Sequence, residues 1–295
     1  MIIRWILDEG KFLIKTAILL MFCLIVTVML SDVLGDFLLE KELLMEEMEK
    51  LPPVATLELI GMQSLKVFPA RVEIFFLILM IVNLVTIGIV IGHSVHRMRA
   101  SFENGSFAFY YMQVMNKGIY YLFIVLRLLF VNMMVWLIYI FEVKLGISYL
   151  VKGLESEVAV VVEGILRELA YRGIGVLILM TAIGVLYGIK QRHSFHGVDF
   201  SVCIMGILFV LGNIYKIPQF IGQKQIEAMV NAQDIMRTTY YIKQIRFVCP
   251  FSILNPYNIH HNIIPVDLAW NYAGVGLLLL FITGIFFELR NWQEL

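Results

Sequence analysis

The chain of 295 residues is 60% hydrophobic and only 16% charged, whereas an ordinary soluble domain is about 45–50% apolar and about 25% charged. Its mean hydropathy of +0.84 is too high for a protein that water surrounds on every side. This composition excludes a soluble globular enzyme, a disordered chain and a nucleic-acid-binding protein. The balance of 23 basic against 23 acidic residues also argues against a polyanion partner. We therefore expect an all-α integral membrane protein in a single transmembrane domain.

Six apolar runs are long enough to cross a bilayer, since a spanning helix needs about 17–25 mainly apolar residues. In chain order they are residues 14–32, 73–93, 118–141, 173–190, 199–216 and 270–288. Residues 1–12 precede the first run and are amphipathic, with Trp5 beside charged residues, which predicts a short elbow helix at the membrane surface.

An even number of spans places both termini on one side of the membrane. Basic residues are denser in the segments that share the side of the termini, which predicts that both termini are cytoplasmic. The outer loops are then residues 33–72, 142–172 and 217–269. Within 154–170, apolar residues recur at helical spacing opposite Glu163 and Arg167, which predicts a helical outer loop with a packing face.

Arg127, Asn83 and Asn132 are polar residues at membrane depth in the predicted spans. Arg127 is the costly one, because a charge near mid-bilayer costs at least about 2.5–3.5 kcal/mol on insertion scales. The sequence suggests no acidic partner at its depth, so Arg127 either extends towards the cytoplasm or meets an anionic or carbonyl group in a translocation path. Asn83 and Asn132 are further candidates for such a path, and hydrogen bonding between helices also explains them.

Motifs for chemistry within the chain are absent. The sequence has no phosphate-binding loop, no H-E-x-x-H and no nucleophile elbow, which argues against an enzyme and against a cofactor bound by this chain. Two histidine pairs, His93 with His96 and His193 with His196, have a spacing that can hold a metal ion. Because carboxylates at ligand spacing are missing, we expect no metal site, and a histidine–metal membrane enzyme stays as an alternative.

The predicted cytoplasmic loop 94–117 has a distinctive order of residues. An acidic residue precedes a Gly-Ser pair and a run of aromatic residues, and Lys117 opens the third span. An aromatic patch of this size on the cytoplasmic side marks an interaction surface. The residues are Glu103, Gly105, Ser106, Phe107, Phe109, Tyr110 and Tyr111.

Together with the elbow, the six spans and the Pro256-Tyr257 pair before the last span, this order resembles the membrane subunit of ABC-2-type ABC transporters, similar to bacterial peptide and bacteriocin exporters. The resemblance implies that the loop is a coupling helix, contacting a separate ATPase subunit through the seven residues from Glu103 to Tyr111 given above. It also implies two copies of that ATPase carrying ATP and Mg²⁺, and a second copy of this chain or a similar one. The location would be the bacterial plasma membrane.

The implied function is ATP-driven export. The aliphatic spans and the acidic outer loops favour an amphipathic substrate, such as a peptide. A membrane scaffold or sensor without transport activity remains the other alternative.

Overall fold

A computed structural model of the chain describes residues 2–46, 69–103, 116–152, 156–190, 197–213, 249–260 and 264–289. The helices in these ranges are α1 (Ile2–Glu46), α2 (Ala70–Glu103), α3 (Lys117–Leu150), α4 (Ser156–Lys190), α5 (Gly197–Asn213), α6 (Pro250–Ile253), α7 (Pro256–His260) and α8 (Asp267–Leu289). These ranges contain no strand. The all-α prediction is therefore confirmed for the part of the chain that the structure describes.

Five of the helices, α1 to α4 and α8, are long and apolar enough to cross a membrane. This indicates a multi-pass membrane protein. The predicted span 199–216 overlaps α5, of which the structure describes 17 residues, at the lower limit of about 17–25 for a span. That α5 crosses the bilayer stays a prediction, and so does the count of six spans.

The spanning helices are longer than the apolar runs that predicted them. Helices α2 and α3 have 34 residues each, so each is about 51 Å long, against about 30 Å for the hydrocarbon core. Much of the predicted loops 94–117 and 142–172 is therefore helix. The physical reason is that buried residues continue along one face beyond the apolar runs, as with Met98 in α2, Ile147 in α3 and Ile165 in α4.

The amino-terminal segment also differs from its prediction. Residues 2–12 are the first turns of α1 and continue into the first span without a break, so the structure has no separate elbow there. One reason is that Glu9 is buried against other helices rather than exposed on a polar face. The charge of Glu9, which suggested an interfacial helix, is therefore held inside the helix bundle.

Helix α4 lies at the centre of the bundle and packs against α2, α3 and α8. Glycines bring the helix backbones close together. A Cβ added to Gly184 or Gly188 of α4 would lie 2.7 Å from Ser94 Cβ or 2.8 Å from Met98 Cβ of α2. This close packing fixes the relative positions of α2 and α4, which both carry residues of the polar site described below.

In the half of the bundle away from the start of α1, which we call the outer half, the short helices α6 and α7 pack against α5, α4 and α2. Helix α7 begins at Pro256, directly after α6, so the Pro-Tyr pair of the sequence opens a short helix before the last span. In α4, Val162 and Leu169 are buried while Glu163 and Arg167 are exposed, which confirms the predicted packing face of 154–170.

Candidate functional site

Five polar side chains from three helices meet between the spans, and we call them the inner cluster: Glu9 of α1, His93 and Arg97 of α2, and Arg127 and Asn132 of α3. Arg97 Nε lies 3.1 Å from Glu9 Oε1, and Arg127 donates a hydrogen bond to the same oxygen. His93 Nε2 lies 3.1 Å from Glu9 Oε2. One buried carboxylate therefore joins α1 to α2 and to α3.

Asn132 extends this cluster towards the centre of the bundle. Its Nδ2 donates to Ser94 Oγ at 3.0 Å and to Thr181 Oγ1 at 2.9 Å, so α3 is bonded to α2 and α4. Its Oδ1 lies 3.1 Å from His93 Nδ1. These contacts bear out the expectation that Asn132 makes hydrogen bonds between helices.

The contacts of Asn132 and Glu9 also fix the balance of charge in the inner cluster. Asn132 donates through its nitrogen to Ser94 and Thr181, which leaves its oxygen to face His93 Nδ1. Two guanidinium groups, of Arg97 and Arg127, face the single carboxylate of Glu9. Their charges together exceed what Glu9 balances, so the inner cluster is positive overall.

Packing holds the imidazole in place. The ring of Phe12 stacks on that of His93 with centroids 4.1 Å apart and an angle of 12° between the planes. Phe12 lies in α1, close in sequence to Glu9, so the same turns of α1 supply both the stacking ring and the carboxylate. The start of α1 is thereby fixed on α2 by an ion pair and by an aromatic contact.

This arrangement corrects the sequence analysis of Arg127. An acidic partner does exist, and it is Glu9. It was missed because Glu9 belongs to a segment predicted to lie on the membrane surface, distant in sequence from the third span. The sequence did contain one signal of a buried polar contact at this place. His93 and Arg97 are four residues apart and so share one face of α2, which marked that face as polar.

The structure describes His93 with partners other than a metal ion. Both ring nitrogens of His93 already have side-chain partners, Asn132 and Glu9, so the ring has no lone pair directed at a shared ion with His96. His193 and His196 lie outside the described residues. Among the residues that the structure describes, no group of three or more His, Cys, Asp or Glu side chains could hold a metal ion.

A second polar group lies in the outer half, and we call it the outer anchor: Asn83, Tyr139 and Arg172 with the carbonyls of Leu254 and Ile264. Asn83 Nδ2 donates to Leu254 O at 3.0 Å, and Tyr139 Oη donates to Asn83 Oδ1 at 2.6 Å. The predicted hydrogen bonding of Asn83 is thus borne out. Its partners are a tyrosine of α3 and the main chain between α6 and α7.

Arg172 is the cation of the outer anchor and its side chain is fully buried, at 0% exposed. It donates to Ile264 O and to Glu168 Oε2, both at 2.8 Å. Arg172 was not among the predicted site residues, because it lies at the end of a predicted outer loop, where an exposed arginine is ordinary.

Cys249 extends the contact of this outer region to α5. Its Sγ lies 3.5 Å from Leu208 O of that helix. Burial raises the pKa of the Cys249 thiol, so the thiol stays protonated and acts as a weak donor.

Of the predicted coupling residues, the structure describes Glu103, which is the last residue of α2 and belongs to neither group. Gly105, Ser106, Phe107, Phe109, Tyr110 and Tyr111 lie outside the described residues. Asn116 caps α3 by accepting a 3.0 Å hydrogen bond from Gly118 N. The structure describes α2 up to residue 103 and the chain again from residue 116, on the two sides of the segment 104–115.

The inner cluster brings charged groups together and, through Glu9 and Asn132, connects α1, α2, α3 and α4, which are four of the five helices long enough to span.

No family model, no curated protein and no solved structure matches the chain.

Proposed function

We propose that this chain is the pore-forming transmembrane subunit of an ATP-driven exporter of the ABC-2 type, powered by a separate ATPase subunit. The observation that carries the proposal is the pair α2 and α3. These two long helices lead from both ends of the segment 104–115 directly to the inner cluster, where they are bonded to each other, to α1 and to α4.

The geometry suits the transmission of a movement. Ser94 lies nine residues before the end of α2, which corresponds to about 14 Å of continuous helix. Asn132 lies fifteen residues after the start of α3, or about 22 Å. A displacement of the segment 104–115 would reach the inner cluster through rigid helices, and would move His93 and Arg97 relative to Glu9 of α1.

In this proposal ATP and Mg²⁺ are bound by the partner, since the chain has no phosphate-binding loop of its own. Two ATPase subunits would act on two copies of this chain, or on one copy and a similar chain, because six predicted spans form half of a pore. ATP binding would shift an equilibrium between inward-open and outward-open states by its different contacts with the two. The cargo would be an amphipathic substrate such as a peptide.

The test is the double variant Phe107→Ala with Tyr110→Ala, purified gently from the native membrane together with its partners. We expect a stoichiometric ATPase subunit with the unsubstituted chain, and loss of its ATPase stimulation and of transport in the variant. The control is Phe141→Ala with Tyr149→Ala, which removes one Phe and one Tyr from the exposed face of α3 at its other end and should leave both activities unchanged. A chain that purifies without an ATPase, or a loop variant that transports normally, would overturn the proposal.

A further inference from the structure

We propose that the inner cluster is a binding site for the headgroup of an anionic amphiphile in the membrane, a carboxylate or phosphate monoester with an alkyl tail, and that Glu9 is its internal occupant. The carboxylate of Glu9 already sits among two guanidinium groups and an imidazole. An incoming headgroup would take the place of Glu9 in front of these groups. Binding of an anion at this site requires no ATPase.

Charge and unused donors support the assignment. Two guanidinium groups against one carboxylate leave the cluster positive, so an added anion is attracted. Arg97 Nε is buried and lies 3.1 Å from Glu9 Oε1, but the alignment does not make a hydrogen bond. This donor can therefore be satisfied by a second anionic oxygen.

The two arginine side chains are also partly accessible. The side chain of Arg97 is 22% exposed and that of Arg127 is 15% exposed, whereas the Glu9 side chain is only 7% exposed. Both arginine side chains therefore reach the surface of the bundle while the carboxylate remains inside. Leu7, two residues before Glu9 in α1, and Leu126, next to Arg127 in α3, are exposed apolar side chains that an alkyl tail can contact.

Depth points to a headgroup rather than to a free ion. Arg97 lies six residues before the end of α2, about 9 Å, and Arg127 lies ten residues after the start of α3, about 15 Å. A helix of this length that is centred on a hydrocarbon core of about 30 Å extends about 10 Å beyond the core at each end. This placement puts Arg97 near the boundary of the core, where lipid headgroups begin, and Arg127 about 5 Å inside it.

The test measures binding of dodecyl phosphate to the purified chain in a neutral maltoside detergent, by native mass spectrometry. We expect binding to the unsubstituted chain, about tenfold weaker binding to Arg97→Gln, and about tenfold tighter binding to Glu9→Gln, because the internal competitor is gone. Arg71→Gln is the matched control, since Arg71 is paired with Asp32 and Asp36 at the other end of α2 and should bind like the unsubstituted chain.

Three outcomes would overturn the proposal. The first is equal binding of dodecyl phosphate by the unsubstituted chain, Arg97→Gln and Arg71→Gln, a comparison that stands even if Glu9→Gln does not fold. The second is equal binding of dodecyltrimethylammonium, which has the tail without the negative charge. The third is equally strong binding of inorganic phosphate, which would make the ligand a free anion rather than a membrane amphiphile. All three are independent of ATPase coupling.

Discussion

The inner cluster and the outer anchor both join helices through buried polar groups, but they do so with different partners. In the inner cluster, Glu9 and Arg127 bond to other side chains, and the charges come from three different helices. In the outer anchor, Asn83 and Arg172 donate to main-chain carbonyls, at Leu254 between α6 and α7 and at Ile264 after α7. Each also has one side-chain partner, Tyr139 for Asn83 and Glu168 for Arg172. Side chains can exchange one partner for another, whereas a carbonyl fixed in a short folded segment cannot move alone.

This difference indicates which end of the bundle can change its contacts. The outer anchor closes the outer half by holding α6 and α7 on the spans. The inner cluster holds the start of α1 with a single carboxylate that several donors share, so the loss of that one group breaks the polar contacts of α1 with α2 and with α3 together and leaves the stacking of Phe12 on His93. We therefore expect the inner end to be the movable one, and the following changes test this comparison.

The largest effect should come from Glu9→Gln, which removes the only charge opposite three cationic or protonatable groups in the inner cluster. We expect a loss of about 3–5 kcal/mol in the free energy of unfolding, because breaking a buried pair leaves its partners uncompensated. Unfolding in mixed micelles measures it. The control is Glu163→Gln, whose side chain is 73% exposed and lies 3.5 Å from Lys144, and which should change stability by less than about 1 kcal/mol. Similar losses of stability in Glu9→Gln and Glu163→Gln would show that the buried carboxylate of the inner cluster contributes no more than an exposed one.

A smaller effect is expected from Arg172→Met, which keeps the apolar stem but loses the hydrogen bonds to Ile264 and Glu168. We expect a cost of about 1.5–3 kcal/mol. Hydrogen exchange should increase in residues 249–260 and not at the start of α1. Lys144→Met, which removes an exposed cation, is the matched control, and faster exchange at both ends of the bundle would contradict the separation into two groups.

The smallest effect should come from Tyr139→Phe. It removes only the 2.6 Å hydrogen bond to Asn83, and such bonds between spanning helices are worth about 0.6 kcal/mol on average. Thermal unfolding in detergent checks this against Tyr149→Phe, which changes an exposed tyrosine of the same helix. A loss of stability as large as that of Glu9→Gln would show that this hydrogen bond of the outer anchor stabilises the fold as much as the buried charge of the inner cluster does.

Composition and apolar runs were sufficient to predict the all-α membrane class and the approximate positions of the five helices long enough to span. They could not give the helix ends, because buried residues such as Ile147 and Ile165 continue the packing faces beyond the runs. Nor could they pair Glu9 with Arg127, since that contact depends on how α1 lies across α2 and α3. Asn132 was easier to predict, because an amide at membrane depth nearly always bonds to another helix.

The central claim is that Glu9 and Arg127 form a direct pair that joins α1 to α3, and a double-mutant cycle of Glu9→Gln and Arg127→Gln tests it most directly. The free energy of unfolding is measured for the unsubstituted chain, both single variants and the double variant. We predict that the second substitution costs at least about 1 kcal/mol less once the first is present, as for residues in contact. Additivity of the two single losses within about 0.5 kcal/mol would contradict the pair, and with it the account of the inner cluster.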